Sequence, residues 1–361
     1  MVPERLWTSR DGNETDMDGI LSLRRLCFGD LDRERLRPEI WRWQFVDNPA
    51  GPGFVRLAVH DDLIVGQYAA IPTRFKVGDS ERVFAMSCDT MTHPGYQKQG
   101  IFVTLARELY AGIAERSGVS TVWGFPNDAS HPGFVGKLDW FDVDVFPLRV
   151  KPLRSARVLQ RWLRSPALSS ALGAVADHGY RLVTPRAREP QRCRLEPLTR
   201  FDERFDALWA GHADLAQVVQ VRDSAYLNWR YCAVPEFGYR PWAVHVDGRL
   251  AGYLVTRGVE LLGLPLGAVV DLFPFPLVDA EITREVLAFA QLRAAEEGAA
   301  FLTALLPPAH ASHLKRFGFV RVPDRLNPRR WYLGARCAPA DEAILSNIAN
   351  WYVTYGDADI L

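Results

Sequence analysis

The sequence lacks several features that would place it in other classes of protein. No apolar run approaches the roughly 20 residues that a membrane-spanning helix requires. The five cysteines are scattered and form no Cys-x-x-Cys pair, so neither a disulfide framework nor a metal site is expected. The 43 basic residues balance 43 acidic ones, so no net charge would attract nucleic acid or a membrane. The first residues lack the apolar segment of a signal peptide, and residence in the cytoplasm is the expectation.

The chain is rich in what a folded core needs. Of its 361 residues, 48% are hydrophobic and 11% are aromatic. A chain of this length can bury at least one large core, and the length favours two domains. We therefore expect a folded globular protein.

The most informative segment runs from Thr92 to Leu109. It contains a strand end, a Pro-Gly turn, the step Gln97–Gly100 and then a helix. Apolar residues spaced four apart predict one buried helix face, formed by Ile101, Leu105, Leu109 and Ile113.

The turn before this helix has the properties of an anion site. It can offer a row of unpaired backbone N–H groups at the positive end of the helix dipole, which binds phosphate. Gly100 lets a ligand come close to the backbone, and Lys98 adds a positive charge. An ordinary connection between a strand and a helix is the alternative.

The segment resembles the acyl-CoA loop of the GNAT acetyltransferases, whose consensus is Gln/Arg-x-x-Gly-x-Gly/Ala. The residues that fit are Gln97, Lys98, Gln99, Gly100 and Ile101, whereas Phe102 replaces the final small residue. The resemblance implies that acetyl-CoA is the co-substrate and that these residues bind its pyrophosphate. It also implies that strands 4 and 5 diverge and that the acyl-pantetheine arm lies in the gap.

The two halves of the chain repeat one pattern. A Trp precedes a Pro by six residues at Trp43 and again at Trp229. Asp89 and Asp271 each lie five residues before a Pro, and a helix follows in both halves. We interpret the chain as two copies of one mixed α/β unit.

This order matches the GNAT order and predicts an α/β (α+β) fold with two GNAT-like domains. Each domain is expected to be a mixed, mostly antiparallel twisted sheet flanked by helices. The predicted boundaries are 1–150 for the first domain, 151–195 for a basic, proline-containing linker, and 196–361 for the second. After Pro276 the second copy has two acids, Asp279 and Glu281, and no glycine, so we expect it to be degenerate.

The resemblance also implies which residues surround the acyl-CoA. Main-chain groups of Thr90, Met91 and Thr92 on strand 4 are the expected partners of the pantetheine amides and the acyl oxygen. Asn127, which follows strand 5, matches an asparagine that contacts the CoA arm, with Ser130 beside it. Asn127 can equally be a helix cap, since Asn is favoured there.

Besides Cys88, three residues are candidates for the general base. Asp89 lies in an otherwise apolar strand, where loss of hydration would raise its pKa. Because Asp271 occupies the same place in the second copy, a shared structural role is equally open. His93 is the second candidate, although a turn residue is its alternative role. The carboxylate of Leu361 is the third, by resemblance to enzymes in which the chain terminus is the base; a docked C-terminal strand is the alternative.

The usual GNAT acid is a tyrosine on the helix after strand 5, and here Phe134 or Val135 stands in that place. The leading hypothesis is an acetyl-CoA-dependent N-acyltransferase that moves an acetyl or other acyl group directly to the primary amine of a small molecule. One alternative is an aminoacyl or other acyl transferase of the mycothiol synthase or FemAB kind. Another is a non-catalytic module that binds acyl-CoA or a metabolite. A homodimer is left open.

Overall fold

The computed structural model describes residues 6–160, 163, 165–184, 187–327 and 330–359. The strands, in chain order, are β1 (Thr8–Asp11), β2 (Phe54–His60), β3 (Leu63–Val77), β4 (Ser80–Thr92), β5 (Val122–Gly124), β6 (Phe141–Phe146), β7 (Arg149–Pro152), β8 (Arg194–Pro197), β9 (Val218–Gln220), β10 (Arg240–Val246), β11 (Arg249–Leu261), β12 (Leu264–Phe273), β13 (Phe301–Ala304), β14 (Val320–Arg321), β15 (Trp331–Arg336) and β16 (Trp351–Tyr352). The α-helices are α1 (Met17–Phe28), α2 (Pro38–Phe45), α3 (Ile101–Ser117), α4 (His131–Lys137), α5 (Ser155–Leu159), α6 (Pro166–Val183), α7 (Glu203–His212), α8 (Ser224–Tyr231), α9 (Ala280–Glu296), α10 (Ala311–Arg316) and α11 (Pro339–Leu345). None of these helices is long and apolar enough to cross a bilayer.

The described residues group into two compact units. The N-terminal unit contains residues 6–145, 217–221 and 332–350, and the C-terminal unit contains 146–216, 222–331 and 351–359. The predicted boundaries at 150 and 195 follow the repeat in the sequence, whereas these units follow contacts in space. The predicted linker contains the last two residues of β7 together with α5 and α6, and it groups with the C-terminal unit.

The sheet of the N-terminal unit has the strand order β1-β2-β3-β4-β5-β15-β6. The strands from β1 to β4 pair antiparallel, and β4 pairs parallel with β5. The helix α3 covers one face, and its predicted stripe lies in the hydrophobic core: Ile101, Leu105, Leu109 and Ile113. The helical period therefore predicted this element correctly.

The sheet of the C-terminal unit repeats this plan in the order β14-β7-β13-β12-β11-β10-β8. Here β12 is the strand that pairs parallel with β13, and α9 follows β12 as α3 follows β4. Two mostly antiparallel sheets flanked by helices confirm the predicted fold class.

Each sheet contains one inner strand from the other half of the sequence. β15 lies between β5 and β6, and β7 lies between β13 and β14. Only Pro147 and Leu148 separate β6 from β7. A two-residue hairpin requires residues with positive φ, such as Asn or Gly, which this pair does not provide. The chain therefore continues into the second sheet instead of folding back on β6.

Candidate active site

The strands β4 and β5 separate within the N-terminal unit. They pair only at Ala85 with Val122 and at Met86 with Trp123. β4 then continues to Thr92, while β5 ends at Gly124. The six residues from Ser87 to Thr92 consequently have no partner on β5, which produces a gap between two adjacent strands.

The three predicted main-chain contacts lie along this separated part of β4. Met91 is buried, whereas Thr90 and Thr92 are half-buried. On its other side this stretch pairs with β3, and the register shifts opposite Tyr68. The shift coincides with Asp89, whose backbone is left-handed at φ 48°. A β-bulge of this kind re-aims the residues that follow it.

The turn between β4 and α3 is exposed and left-handed at two positions. Lys98 has φ 62° and Gly100 has φ 78°. Gly100 is the N-cap of α3, and no side chain caps the helix there. Gln97, Lys98, Gln99 and Gly100 are all exposed. The first N–H groups of α3 can therefore donate hydrogen bonds to an anionic ligand.

Asp89 is held between two arginines. Its Oδ1 lies 2.9 Å from Nη1 of Arg24 and 3.1 Å from Nη1 of Arg35, and its side chain is only 8% exposed. Burial alone would raise the pKa of Asp89, but the two guanidinium groups outweigh burial and lower it. The predicted rise in this pKa is therefore wrong, because the sequence does not show that two cations reach the site.

The matching residue of the C-terminal unit has an equivalent environment. Asp271 Oδ2 accepts hydrogen bonds from Tyr253 (2.8 Å) and Tyr231 (3.0 Å), and lies 3.3 Å from Nε of Arg222. A buried carboxylate paired with arginine thus recurs at the same position of both copies. This recurrence agrees with the structural reading of Asp89.

His93 begins the 3₁₀ turn Pro94–Tyr96. Its Nδ1 accepts a hydrogen bond of 3.0 Å from the backbone N–H of Gly95, and its ring lies edge-on to that of Tyr96. His93 therefore has the predicted turn role, whatever it does in catalysis. Leu361, the other candidate base, lies outside the described residues.

The segment that precedes Leu361 is docked in the C-terminal unit. Arg222 Nη2 lies 2.8 Å from Oδ2 of Asp357, and both side chains are almost fully buried. Arg230 donates to the carbonyl oxygens of Gly356 (3.1 Å) and Ala358 (2.7 Å). Burial is the largest influence on Asp357 and raises its pKa. The aromatic C-terminal segment is thus packed at least as far as Ala358.

Asn127 and Ser130 shape the turn between β5 and α4. Asn127 Oδ1 accepts from the N–H groups of Ala129 (3.0 Å) and Ser130 (2.9 Å). Ser130 Oγ in turn accepts from the Asn127 N–H at 3.1 Å. The capping role expected for Asn127 is confirmed, and a contact with CoA stays a prediction.

The Phe102 ring packs against two other aromatic rings of the N-terminal unit. It lies 5.2 Å from that of Phe134 on α4 and 5.9 Å from that of Tyr68. A Cβ on Gly133 would meet the Phe102 ring at 2.8 Å, so the close packing of α3 on α4 uses that glycine. The departure from the GNAT consensus is therefore accommodated inside an aromatic cluster.

A row of hydroxyl groups beside the gap was not predicted. Tyr68 Oη lies 2.8 Å from Ser87 Oγ and 2.6 Å from Tyr110 Oη, and Trp140 Nε1 donates to Tyr110 Oη at 3.1 Å. These residues come from β3, β4 and α3 and, for Trp140, from the position just before β6. Each one fits an ordinary core pattern, and their meeting depends on long-range packing.

The N-terminus of α9 differs from that of α3. Asp279 caps it by accepting from the N–H of Ile282 at 2.8 Å, and Arg192 pairs with the same carboxylate at 2.9 Å. These interactions lower the pKa of Asp279. The place that would receive a phosphate in the C-terminal unit is therefore occupied by a carboxylate of the chain.

Metal ligands do not assemble in the part of the chain that the structure describes, where no three His, Cys, Asp or Glu side chains cluster as a site would need.

Two central parallel strands that diverge, connected by a helix with an uncapped N-terminus, form the arrangement that the resemblance to the GNAT acetyltransferases implies. Residues 8–141 match the family model described as the acetyltransferase (GNAT) domain. The N-terminal part of the chain therefore contains a GNAT acetyltransferase domain. No curated protein sequence matches it.

Solved structures share the fold over most of the chain. A probable N-acyltransferase from Enterococcus faecalis has a TM-score of 0.64 and 11% identity, covering 94% of this chain and 74% of its own. A GCN5-related N-acetyltransferase from Anabaena variabilis has a TM-score of 0.59 and 12% identity, covering 94% and 75%. The N-myristoyltransferase of Saccharomyces cerevisiae, solved with bound myristoyl-CoA, has a TM-score of 0.60 and 11% identity, covering 92% and 82%. At these identities the likeness shows the fold. The GNAT domain supports an acyl-CoA-dependent acyltransferase in general terms.

Proposed function

We propose that this protein is an acetyl-CoA-dependent N-acyltransferase that transfers an acetyl or other acyl group directly to the primary amine of a small molecule. One observation carries the proposal. The exposed, uncapped N-terminus of α3 follows directly from the separated end of β4, within the segment that matches the GNAT domain. An uncapped helix N-terminus directly after a strand gap supports the binding of the pyrophosphate and the pantetheine arm of acyl-CoA.

The binding roles follow from this arrangement. The main chain of residues 97–101 holds the pyrophosphate, and Lys98 adds charge. Main-chain groups of Thr90, Met91 and Thr92 bind the pantetheine amides and polarise the acyl carbonyl. Asn127 keeps its amide group for the CoA arm, because only its Oδ1 is used in capping. Ser130 fixes this turn.

The general base is the role for which more than one residue is still a candidate. Asp89 is a weak base because its two arginines stabilise the carboxylate. We assign it the positioning of the bulge from which residues 90–92 extend. His93 and the terminal carboxylate of Leu361 stay as candidates for proton removal from the ammonium group.

The C-terminal unit acts as a degenerate copy in this proposal. Asp279 occupies the helix N-terminus where a phosphate would bind and repels a second anion. Acyl-CoA therefore binds with a stoichiometry of one per chain, which calorimetry measures directly.

A matched pair of glycine variants tests the phosphate turn. Gly100 and Gly118 cap opposite ends of α3, both are left-handed, and a Cβ added at either would have no neighbouring atom within 4 Å. Gly100→Ala and Gly118→Ala should each lose about 1–2 kcal/mol of stability from backbone strain. Only Gly100→Ala adds a methyl group at the ligand, so only it should weaken acetyl-CoA binding, by roughly tenfold or more. Equal affinities in the two variants would refute the assignment of the turn.

Release of CoA in the presence of a panel of amines tests the reaction. Turnover with a small primary amine is expected. Binding without turnover on any amine would support the non-catalytic module, and turnover that requires an aminoacyl donor would support the aminoacyl alternative.

A further inference from the structure

The hydroxyl chain of Ser87, Tyr68 and Tyr110 has a defined direction. Trp140 Nε1 can only donate, so the Tyr110 oxygen accepts from it. If Tyr68 also donated to Tyr110, the Tyr110 proton would be buried with no acceptor among the described residues, which is destabilising. Tyr110 therefore donates to Tyr68, and Tyr68 donates to Ser87. Among the described residues Ser87 Oγ has no other partner, so its proton can be donated to a ligand.

Ser87 lies where such an acceptor would be a ligand. It is the first residue of β4 beyond the pairing with β5, and it is half-buried, whereas Tyr68 is fully buried. A Cβ on Gly124 would lie 3.2 Å from the Ser87 carbonyl oxygen, so the two strands are still close at this level. Ser87 therefore stands at the closed end of the gap, where the acyl end of an acyl-CoA would lie.

The leaving thiolate has no tyrosine to stabilise it at the usual GNAT position. Phe134 occupies that position and packs 6.4 Å from the ring of Tyr68. The hydroxyl chain therefore lies on the same side of the sheet as Phe134, where GNAT enzymes usually have the tyrosine. The main-chain groups of residues 90–92 already account for the acyl oxygen in the proposed function, which leaves the sulfur without a donor.

We propose that Ser87 Oγ–H donates a hydrogen bond to the thioester sulfur and stabilises the CoA thiolate as it leaves, with Tyr68 and Tyr110 as positioning residues. The inference rests on the proposed function. The C–N bond forms, the C–S bond breaks, and its electron pair stays on sulfur. The ammonium group loses one proton before the attack and a second as the amide forms; both leave through the base to solvent, and the thiolate departs hydrogen-bonded to Ser87.

The donor keeps its proton throughout this step. A thiol has a pKa of about 8.5, so its thiolate is a weak base toward hydroxyl groups. Burial raises the pKa of Tyr110 to about 12 and raises that of Tyr68 as well. The chain of hydroxyls therefore remains protonated and supplies a fixed dipole where negative charge develops.

The ionisation of bound CoA tests the inference without an acceptor amine. Ultraviolet absorbance of the thiolate, followed against pH, gives the pKa of the bound thiol. We expect this pKa to be lower in the wild type than in Ser87→Ala by roughly one unit, because a hydrogen bond to the charged form favours it. Ser87→Thr should retain the wild-type value, and Tyr68→Phe should give an intermediate one. Ser80→Ala, at the far end of the same strand, should match the wild type.

Kinetics provide the second readout. With a productive amine, Ser87→Ala should lose roughly 10²-fold in kcat while the Kd of acetyl-CoA is unchanged. An equal thiol pKa in wild type and Ser87→Ala would overturn the inference and leave the acyltransferase proposal intact. Failure of CoA to bind the wild type at all would overturn both.

Discussion

Asp89 illustrates, at the scale of one residue, how burial and charge compete. The strand around it is apolar, and burial of an isolated carboxylate would raise its pKa. Arg24 on α1 and Arg35, which precedes α2, both reach the same oxygen atom, and the pKa falls instead. The carboxylate is consequently a fixed anion that joins three segments of the chain.

The pH dependence of stability should reveal this ion cluster. Because the folded pKa of Asp89 lies below its ordinary value of 3.8, its contribution is complete above that value and is lost as the pH falls through the folded pKa. Asp89→Asn should lower the free energy of unfolding by about 3–5 kcal/mol at pH 7, since two arginines lose their buried partner. Below about pH 4, the free energy of unfolding of Asp89→Asn should change less with pH than that of the wild type.

Denaturant unfolding between pH 3 and pH 7 measures both effects, with the exposed Asp62→Asn as control. A wild type and an Asp89→Asn variant with parallel pH profiles would show that the pair is not formed.

At the scale of the element, α3 and α9 differ at the N-cap position, and this difference separates a helix that can bind an anion from one that cannot. Both helices span 17 residues and follow the fourth strand of their sheet. α3 begins at a left-handed glycine without a side-chain cap, whereas α9 begins at Asp279, which satisfies an N–H of its first turn. The first N–H groups of the uncapped helix are available to a ligand, whereas a side-chain cap in the other helix accepts one of these hydrogen bonds and stabilises the helix.

Two substitutions of Asn127, in the turn before α4, separate its structural role from its proposed role in binding. Asn127→Ala should destabilise the protein by about 1 kcal/mol, because two N–H groups lose their acceptor. Asn127→Asp keeps an acceptor and should retain stability, but it removes the amide donor and adds a negative charge. If that amide binds the CoA arm, Asn127→Asp should weaken acetyl-CoA binding roughly fivefold or more.

Thermal unfolding and calorimetric titration of the two variants decide between the roles. Unchanged affinity in Asn127→Asp would leave capping as the whole function of this residue.

At the scale of the whole molecule, the two halves of the sequence do not correspond to two independent sheets. β15 completes the N-terminal sheet between β5 and β6, and β7 completes the C-terminal sheet between β13 and β14. Removing an inner strand exposes unpaired N–H and C=O groups on both of its neighbours. Each sheet therefore requires both halves of the chain.

Expression of the halves as separate polypeptides tests this dependence. A fragment of residues 1–150 lacks β15 and should be insoluble or sensitive to protease, and so should a fragment of residues 196–361, which lacks β7. Breaking the chain between β8 and α7, with both pieces expressed together, should yield a soluble complex. A stable, soluble fragment 1–150 with cooperative unfolding would contradict the exchange of strands.

Local patterns predicted a large part of this fold. The four-residue spacing from Ile101 predicted α3, which the structure places at Ile101–Ser117. The landmarks at Asp89 and Asp271 predicted the repeat, and both aspartates are buried beside arginine in equivalent strands. The exchange of β7 and β15 was not predicted, because strand pairing across most of the chain leaves no local signal.

The sequence by itself determined the elements, the repeat and the exposed glycine turn, because each depends on residues that are neighbours along the chain. The tertiary structure alone decided the ion pairs of Asp89, the partners of each inner strand and the meeting of the hydroxyl groups of Tyr110, Tyr68 and Ser87. Those properties depend on groups brought together from distant segments: Arg24 and Arg35 around one carboxylate, and Trp140 at the start of a row of hydroxyls. Electrostatic and hydrogen-bonding energies depend on distance in space, which the order of residues does not specify.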